Sequence, residues 1–231
     1  MSDTNDANNK VVATAEGLTS DAFHRLLDLA ITGRGKLLGA RTMANNQLRQ
    51  RNDQEDAIRW LSNQHIALAG GQGFATNWGG FLLSLVTIPA NMAAAAFIQA
   101  RAVAAIAHLR GYELDDPRVR TAILMVMLGP RGSAALIASG DLPSSAAAVA
   151  TAPAFDPRLD SRVSRALLEQ SMNHVGGKRL GVFLAKKVPL VGGGVGAVVD
   201  GWSTRSIIQY AQEQFVSRRP RATGYVIIVE G

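Results

Sequence analysis

A single-domain, all-α helical bundle is the fold class this sequence predicts, and three observations predict it. Alanine supplies 36 of the 231 residues against 13 aromatic ones, so the core is built from small side chains that favour helices over sheets and let backbones approach closely. Apolar residues recur at helical spacing through most of the chain. Glycine, proline and aspartate punctuate those segments at the positions helix ends require. The length fits one large domain or two small ones. With 47% apolar and 18% charged residues the composition is that of neither a disordered nor a fibrous chain.

Taken in order, residues 1–18 are rich in Asn, Asp and Thr and read as a disordered tail ahead of a helical domain spanning 19–217. Thr19 or Ser20 offers an N-cap for a helix over about 21–31, with Phe23, Leu26, Leu27 and Ala30 on one side. Gly33, Gly35 and Gly39 break or bend the next stretch, and a second helix is expected over about 40–48. Asp53 caps a third, whose apolar face is Ala57, Ile58 and Leu61.

The middle of the chain is the most informative. No Asp, Glu, Lys or Arg occurs between Arg59 and Arg101, a gap of 41 residues. This exceeds the roughly 18–20 apolar residues of a membrane span. Pro89, Asn77, Asn91, Gln99 and several glycines interrupt it, however. The expectation is a central apolar hairpin of two helices, about 72–87 and 90–110, with Pro89 in the first turn of the second. Such a hairpin fits either the buried centre of a bundle or insertion into a bilayer.

Gly111 then ends the hairpin, Asp116 and Pro117 cap and start the next helix, and Gly129-Pro130-Arg131-Gly132 stops it. Residues 133–157, rich in Ala, Ser and Pro, read as a loop or as a short helix near 133–138 or 144–150. Asp156-Pro157 or Asp160 opens another, reaching about Val175, and a last helix ends near Phe215. Residues 218–231 form a C-terminal tail in which 225–229 read as an optional short strand.

Chemistry is sparse. The absence of cysteine excludes disulfides, thiolate catalysis and Cys-ligated metal sites, and is consistent with a reducing compartment. The four histidines, at 24, 65, 108 and 174, form no metal-ligand pair. His24 and Asp28 share a helix face and read as an ordinary solvated pair. Asp115-Asp116 reads as capping rather than as paired catalytic carboxylates. Ser203, in Gly201-Trp202-Ser203-Thr204-Arg205, has no recognisable base. The Gly192–Gly196 run lacks the Gly-Lys-Ser/Thr of a phosphate loop, and close helix packing through Gly192 and Gly196 accounts for it. Gly79 and Gly80 read likewise as packing glycines. No catalytic residue, metal site or cofactor is expected, and the chain reads as a non-enzyme.

Charge points outward. The net charge is +6, of which residues 1–22 contribute −3 and the remainder +9. A basic body favours anionic partners. Lys178, Arg179, Lys186 and Lys187 flank an apolar run, and no acid intervenes between Glu169 and Asp200. Four cations around apolar residues suit an anionic lipid surface. Trp78, Phe81, Leu82, Leu85 and Phe97 of the hairpin would be the apolar contacts. With few interleaved aromatics and no reading helix, nucleic acid is not an expected partner. The first 15 residues lack a basic and an apolar region, so no secretion signal is expected.

Gly73-Phe74, Trp78-Gly79-Gly80-Phe81, Ile88-Pro89-Ala90, Ile106-Ala107 and Gly111-Tyr112 resemble the first half of the EcsC family pattern. Lys186 through Gly192, then Asp200, Ser203-Thr204-Arg205, Tyr210-Ala211 and Phe215, resemble its second half. The resemblance spans about residues 20–216. Asn91 stands where an acidic residue often follows Pro-Ala, and Glu113 where Asp often follows Gly-Tyr, so no role of that first carboxylate carries over. The resemblance implies a bacterial, mostly helical protein of a family named after a protein encoded beside an ABC transporter, with no established catalytic chemistry. The resulting expectation is a cytoplasmic protein, peripherally bound to the membrane through lipid, or alternatively docked on a transporter or other membrane complex.

Overall fold

The computed structural model describes residues 22–35, 37–70, 90–142, 144–185 and 192–218, and side chains over the same residues apart from 90–92 and 172–201. Nine helices and one two-stranded ribbon are present among them. They are α1 (22–32), β1 (Gly33–Arg34), β2 (Leu37–Leu38), α2 (Ala40–Arg51), α3 (Gln54–Gly70), α4 (Ala90–Leu109), α5 (Pro117–Met127), α6 (Gly129–Ala138), α7 (Ala146–Ala150), α8 (Pro157–Ala185) and α9 (Gly192–Gln214). The all-α expectation holds. The small antiparallel ribbon, pairing Gly33 with Leu38 and Arg34 with Leu37, occupies the glycine-rich stretch that was expected only to bend. Gly33 carries φ +74°, a conformation glycine adopts without strain.

α4 is the centre of the bundle. α2, α3, α5 and α9 pack around it, and α5 in turn carries α7 and α8. Its buried residues are dominated by Ala93, Ala100, Ala102, Ala104, Ala105 and Ala107, so neighbouring backbones come close, and Phe97, Ile106 and Leu109 fill the remaining volume. This is the second arm of the expected hairpin, and it is core. The first arm, with Trp78, Gly79, Gly80, Phe81, Leu82 and Leu85, lies outside the described residues, as does the optional strand at 225–229. Among the described residues no single helix is long and apolar enough to cross a membrane. The α5–α6 pair is apolar enough in sum but bends by 106°.

The caps follow the local chemistry. Asp53 Oδ1 accepts from the Asp56 amide at 2.7 Å at the start of α3. Asp116 accepts from the Arg118 amide at 2.9 Å with Pro117 in the first turn of α5. Asp156 Oδ1 accepts from the Arg158 and Leu159 amides at the start of α8. Gly111 closes α4 at φ +90°.

One expectation is extended and one corrected. Gly129-Pro130 ends α5, as expected, and turns the chain at once into α6. Gly129 takes φ +75°, Pro130 sits in the first turn of α6, and the corner is held by Ser133 Oγ donating to Met125 O (3.0 Å) and Gln170 Nε2 donating to Leu128 O (3.2 Å). The helix before the Gly192 run, by contrast, does not end near Val175 as expected. α8 continues through Gly176-Gly177 to Ala185. Two interior glycines cost a helix only about 1 kcal/mol each, and the flanking Leu, Lys and Arg favour helix.

Candidate functional site

Three regions carry the chemistry that the described residues offer, the first of them on the surface. On the surface, α8 exposes Arg158, Arg162 and Arg165 along one side of its first half. Spacings of four and three residues place them on one helix face. The same helix carries Lys178 and Arg179 in its last turns, while Lys186 and Lys187 lie outside the described residues. On α9, Trp202 is 78% exposed, and Arg205, three residues on, is exposed beside it. Few positions in a bundle leave an indole so open, because burying it is worth several kcal/mol. Between these two outward residues Thr204 faces in and is fully buried, bonded by Gln99 Nε2 at 3.4 Å. The α9 turn therefore presents an aromatic and a cation to solvent while its other side anchors to α4. Gly192 and Gly196 lie in the first turns of this same helix.

Phe97, expected among the lipid contacts, is instead fully buried in α4. It faces the bundle interior because the Ala-rich helix around it is enclosed by α2, α3 and α9.

Inside, the interface of α3, α4 and α9 holds a polar layer. Arg101 of α4, 5% exposed, donates from Nε to Nε2 of His65 at 3.1 Å, and its guanidinium lies 5.2 Å from the centre of the Phe97 ring. His65, fully buried, donates from Nδ1 to Leu61 O at 2.7 Å, which fixes the neutral tautomer with Nε2 as acceptor. Burial, then the positive charge of Arg101, pull the imidazole down to about 4, against a backbone hydrogen bond that raises it. Burial alone lowers Arg101 to about 10, so it stays a cation at neutral pH. One helical turn from His65, Ser62 Oγ donates to Ile58 O (2.7 Å) and accepts from Gln212 Nε2 of α9 (3.1 Å). Sequence reasoning singles out neither Arg101 nor its pairing with His65. The available signal was a lone cation inside the otherwise apolar run from Met92 to Ala107.

A third cluster joins α1, α5 and α8. His24 pairs with Asp160 (Nε2 to Oδ2, 3.0 Å), not with Asp28, which pairs with Arg120. Thr121 Oγ1 lies 2.6 Å from Asp160 Oδ1. Burial opposes the Asp160 charge, but the hydrogen bonds from His24 and Thr121 outweigh it and hold the carboxyl below its usual range. Histidine, aspartate and a hydroxyl are thus assembled in the wrong order for a nucleophile. The hydroxyl is bonded to the acid rather than to the imidazole. Beside it a cavity of about 290 Å³ is lined by Thr121, Val149, Leu159, Phe155 and Arg118, but Arg118 is already committed to Asp116 and to Ala152 O. Among the described residues no three His, Asp or Glu side chains converge as a metal site.

These features define an Ala-rich, all-α bundle with a cationic exterior and a buried arginine. The chain belongs to the EcsC protein family, whose model matches residues 5–219. No curated protein and no solved structure matches it.

Proposed function

We propose that this EcsC family protein is a non-catalytic, peripheral binder of anionic membrane surfaces on the cytoplasmic side. The observation that carries the reading is Trp202, 78% exposed and one turn from Arg205. An indole with its ring in solvent gains by moving into the headgroup region, where its apolar body and N–H are both satisfied. The cations add an electrostatic component. Lys178, Arg179, Lys186, Lys187 and Arg205, with the arginine stripe of α8, would each contribute on the order of 1 kcal/mol near an anionic leaflet. Apolar insertion and basic attraction together give stable attachment without a span. Trp78, Phe81, Leu82 and Leu85 are the further apolar contacts this reading assigns to lipid.

The reading predicts salt-sensitive recruitment to anionic vesicles and a blue shift of Trp202 emission on binding. Emission that ignores vesicles of every composition, together with retention on a purified transporter complex, would move the assignment to protein docking.

A further inference from the structure

We infer that Arg101 is the anchor of an interior oxyanion-binding site, accepting a phosphate or carboxylate group between α3, α4 and α9. Its sole hydrogen bond among the described residues is the one from Nε to His65. The two terminal nitrogens, with four N–H donors in a planar fork, have no acceptor there. His65 is a neutral acceptor locked by Leu61 O, so it orients the guanidinium without neutralising it. Phe97 packs against the same group and adds no counter-charge.

The sequence removes most candidates for an internal counterion. Residues 60–100 contain no Asp or Glu, and neither do residues 170–199. Arg101 is absent from every ion pair among the described residues, whereas Arg41, Arg59, Arg110, Arg118 and Arg120 each have a carboxylate. Arg101 is largely buried, so an anion that reaches its open terminal nitrogens is less screened there than at a surface arginine. The guanidinium fork suits a bidentate oxyanion rather than a halide. Of the acids whose side chains lie outside the described residues, Asp200 is the one carried by a helix of this interface, one helical turn before the buried Thr204 on α9. The shared ligand chemistry is a phosphate or carboxylate, either free or as a lipid headgroup.

The test uses the full chain at constant ionic strength. Inorganic phosphate, and separately a water-soluble short-chain phosphatidic acid below its micelle concentration, are titrated while the melting temperature is followed. The expected result is a saturable rise in Tm for the native chain that disappears in Arg101→Met. Arg101→Lys, which keeps the charge but loses the fork and the Nε–H to His65, should bind about tenfold more weakly or worse. A response to phosphate identifies a free oxyanion, and a response to the phosphatidic acid alone identifies a headgroup. Equal shifts in the native chain and both variants would place the anion on surface cations and overturn the inference. So would no shift with either probe. A Tm drop in Asp200→Asn that is lost in the Arg101→Met background would then name Asp200 as the internal counterion. The inference stands apart from the membrane reading, since Trp202→Ser leaves the phosphate response intact if both hold.

Discussion

Arg101 Nε donates to His65 Nε2 at 3.1 Å in the interior of the bundle, and His65 can accept only because its other nitrogen is spent on the Leu61 carbonyl. The pair ties the central helix α4 to α3 at a depth where neither group has appreciable solvent.

This arrangement makes stability depend on pH. The imidazole titrates near 4 when folded against 6.5 when unfolded, so the unfolded chain binds the proton more readily between those values. The contribution of neutral His65 is therefore complete above about pH 6.5 and is lost as pH falls toward 4. Going from about pH 7 to about pH 5 should cost on the order of 2 kcal/mol from this group. Urea denaturation at both pH values checks it, with His65→Gln expected to show a smaller loss than the native protein.

Asp160 contributes in the more acidic range. Its folded carboxyl lies below the ordinary 3.8, so its stabilisation is present above that value and declines as pH falls through the folded one. Replacing it with alanine removes the acceptor of both His24 and Thr121 and should cost about 2 kcal/mol at neutral pH. Thermal melts of Asp160→Ala, alone and combined with His24→Ala, should show less than additive losses.

Gly39 sits where the ribbon returns to α1. A β-carbon there would lie 2.6 Å from Gly33 N and press into the Ile31 carbonyl oxygen. Gly39→Ala should therefore lower stability by about 2 kcal/mol or more, since main-chain atoms rather than a flexible side chain must move. Gly35, with nothing within 4 Å of the same position but φ +59°, should lose less, about 1 kcal/mol, on substitution by alanine.

Trp202 separates stability from binding. At 78% exposure its replacement by serine should change unfolding free energy by no more than about 0.5 kcal/mol. The same substitution should weaken vesicle binding. A variant that binds normally yet unfolds early would assign the indole a structural role instead.

How much of this molecule was legible in its sequence depends on the range of each interaction. Asp53, Asp116 and Asp156 cap helices through contacts two or three residues away, and Gly111 ends one through its own φ, so their sequence neighbourhoods announce them. The Ala-rich run of α4 likewise announces a closely packed helix, though not that Phe97 turns inward. The pairs His65–Arg101 and His24–Asp160 span 36 and 136 residues, and nothing local to any of the four encodes its partner. His24 and Asp28 share a face by spacing, yet α5 and α8 pack against that face and supply each with a different partner. The passage of α8 through Gly176-Gly177 was hidden because two glycines weaken a helix without forbidding it. Trp202 is not one of the residues that carry the family resemblance, and its outward direction depends on Thr204 being drawn in by α4.

The membrane-surface reading is tested most directly by flotation of the purified full-length protein with liposomes. Neutral and anionic vesicles are compared at low and high salt, for the native chain, Trp202→Ser, and the charge reversal of Lys178, Arg179, Lys186 and Lys187 to Glu. The account predicts flotation with anionic vesicles at low salt, a marked loss at high salt, and weakened flotation in both variants. Native protein that stays at the bottom of the gradient in every condition would contradict it.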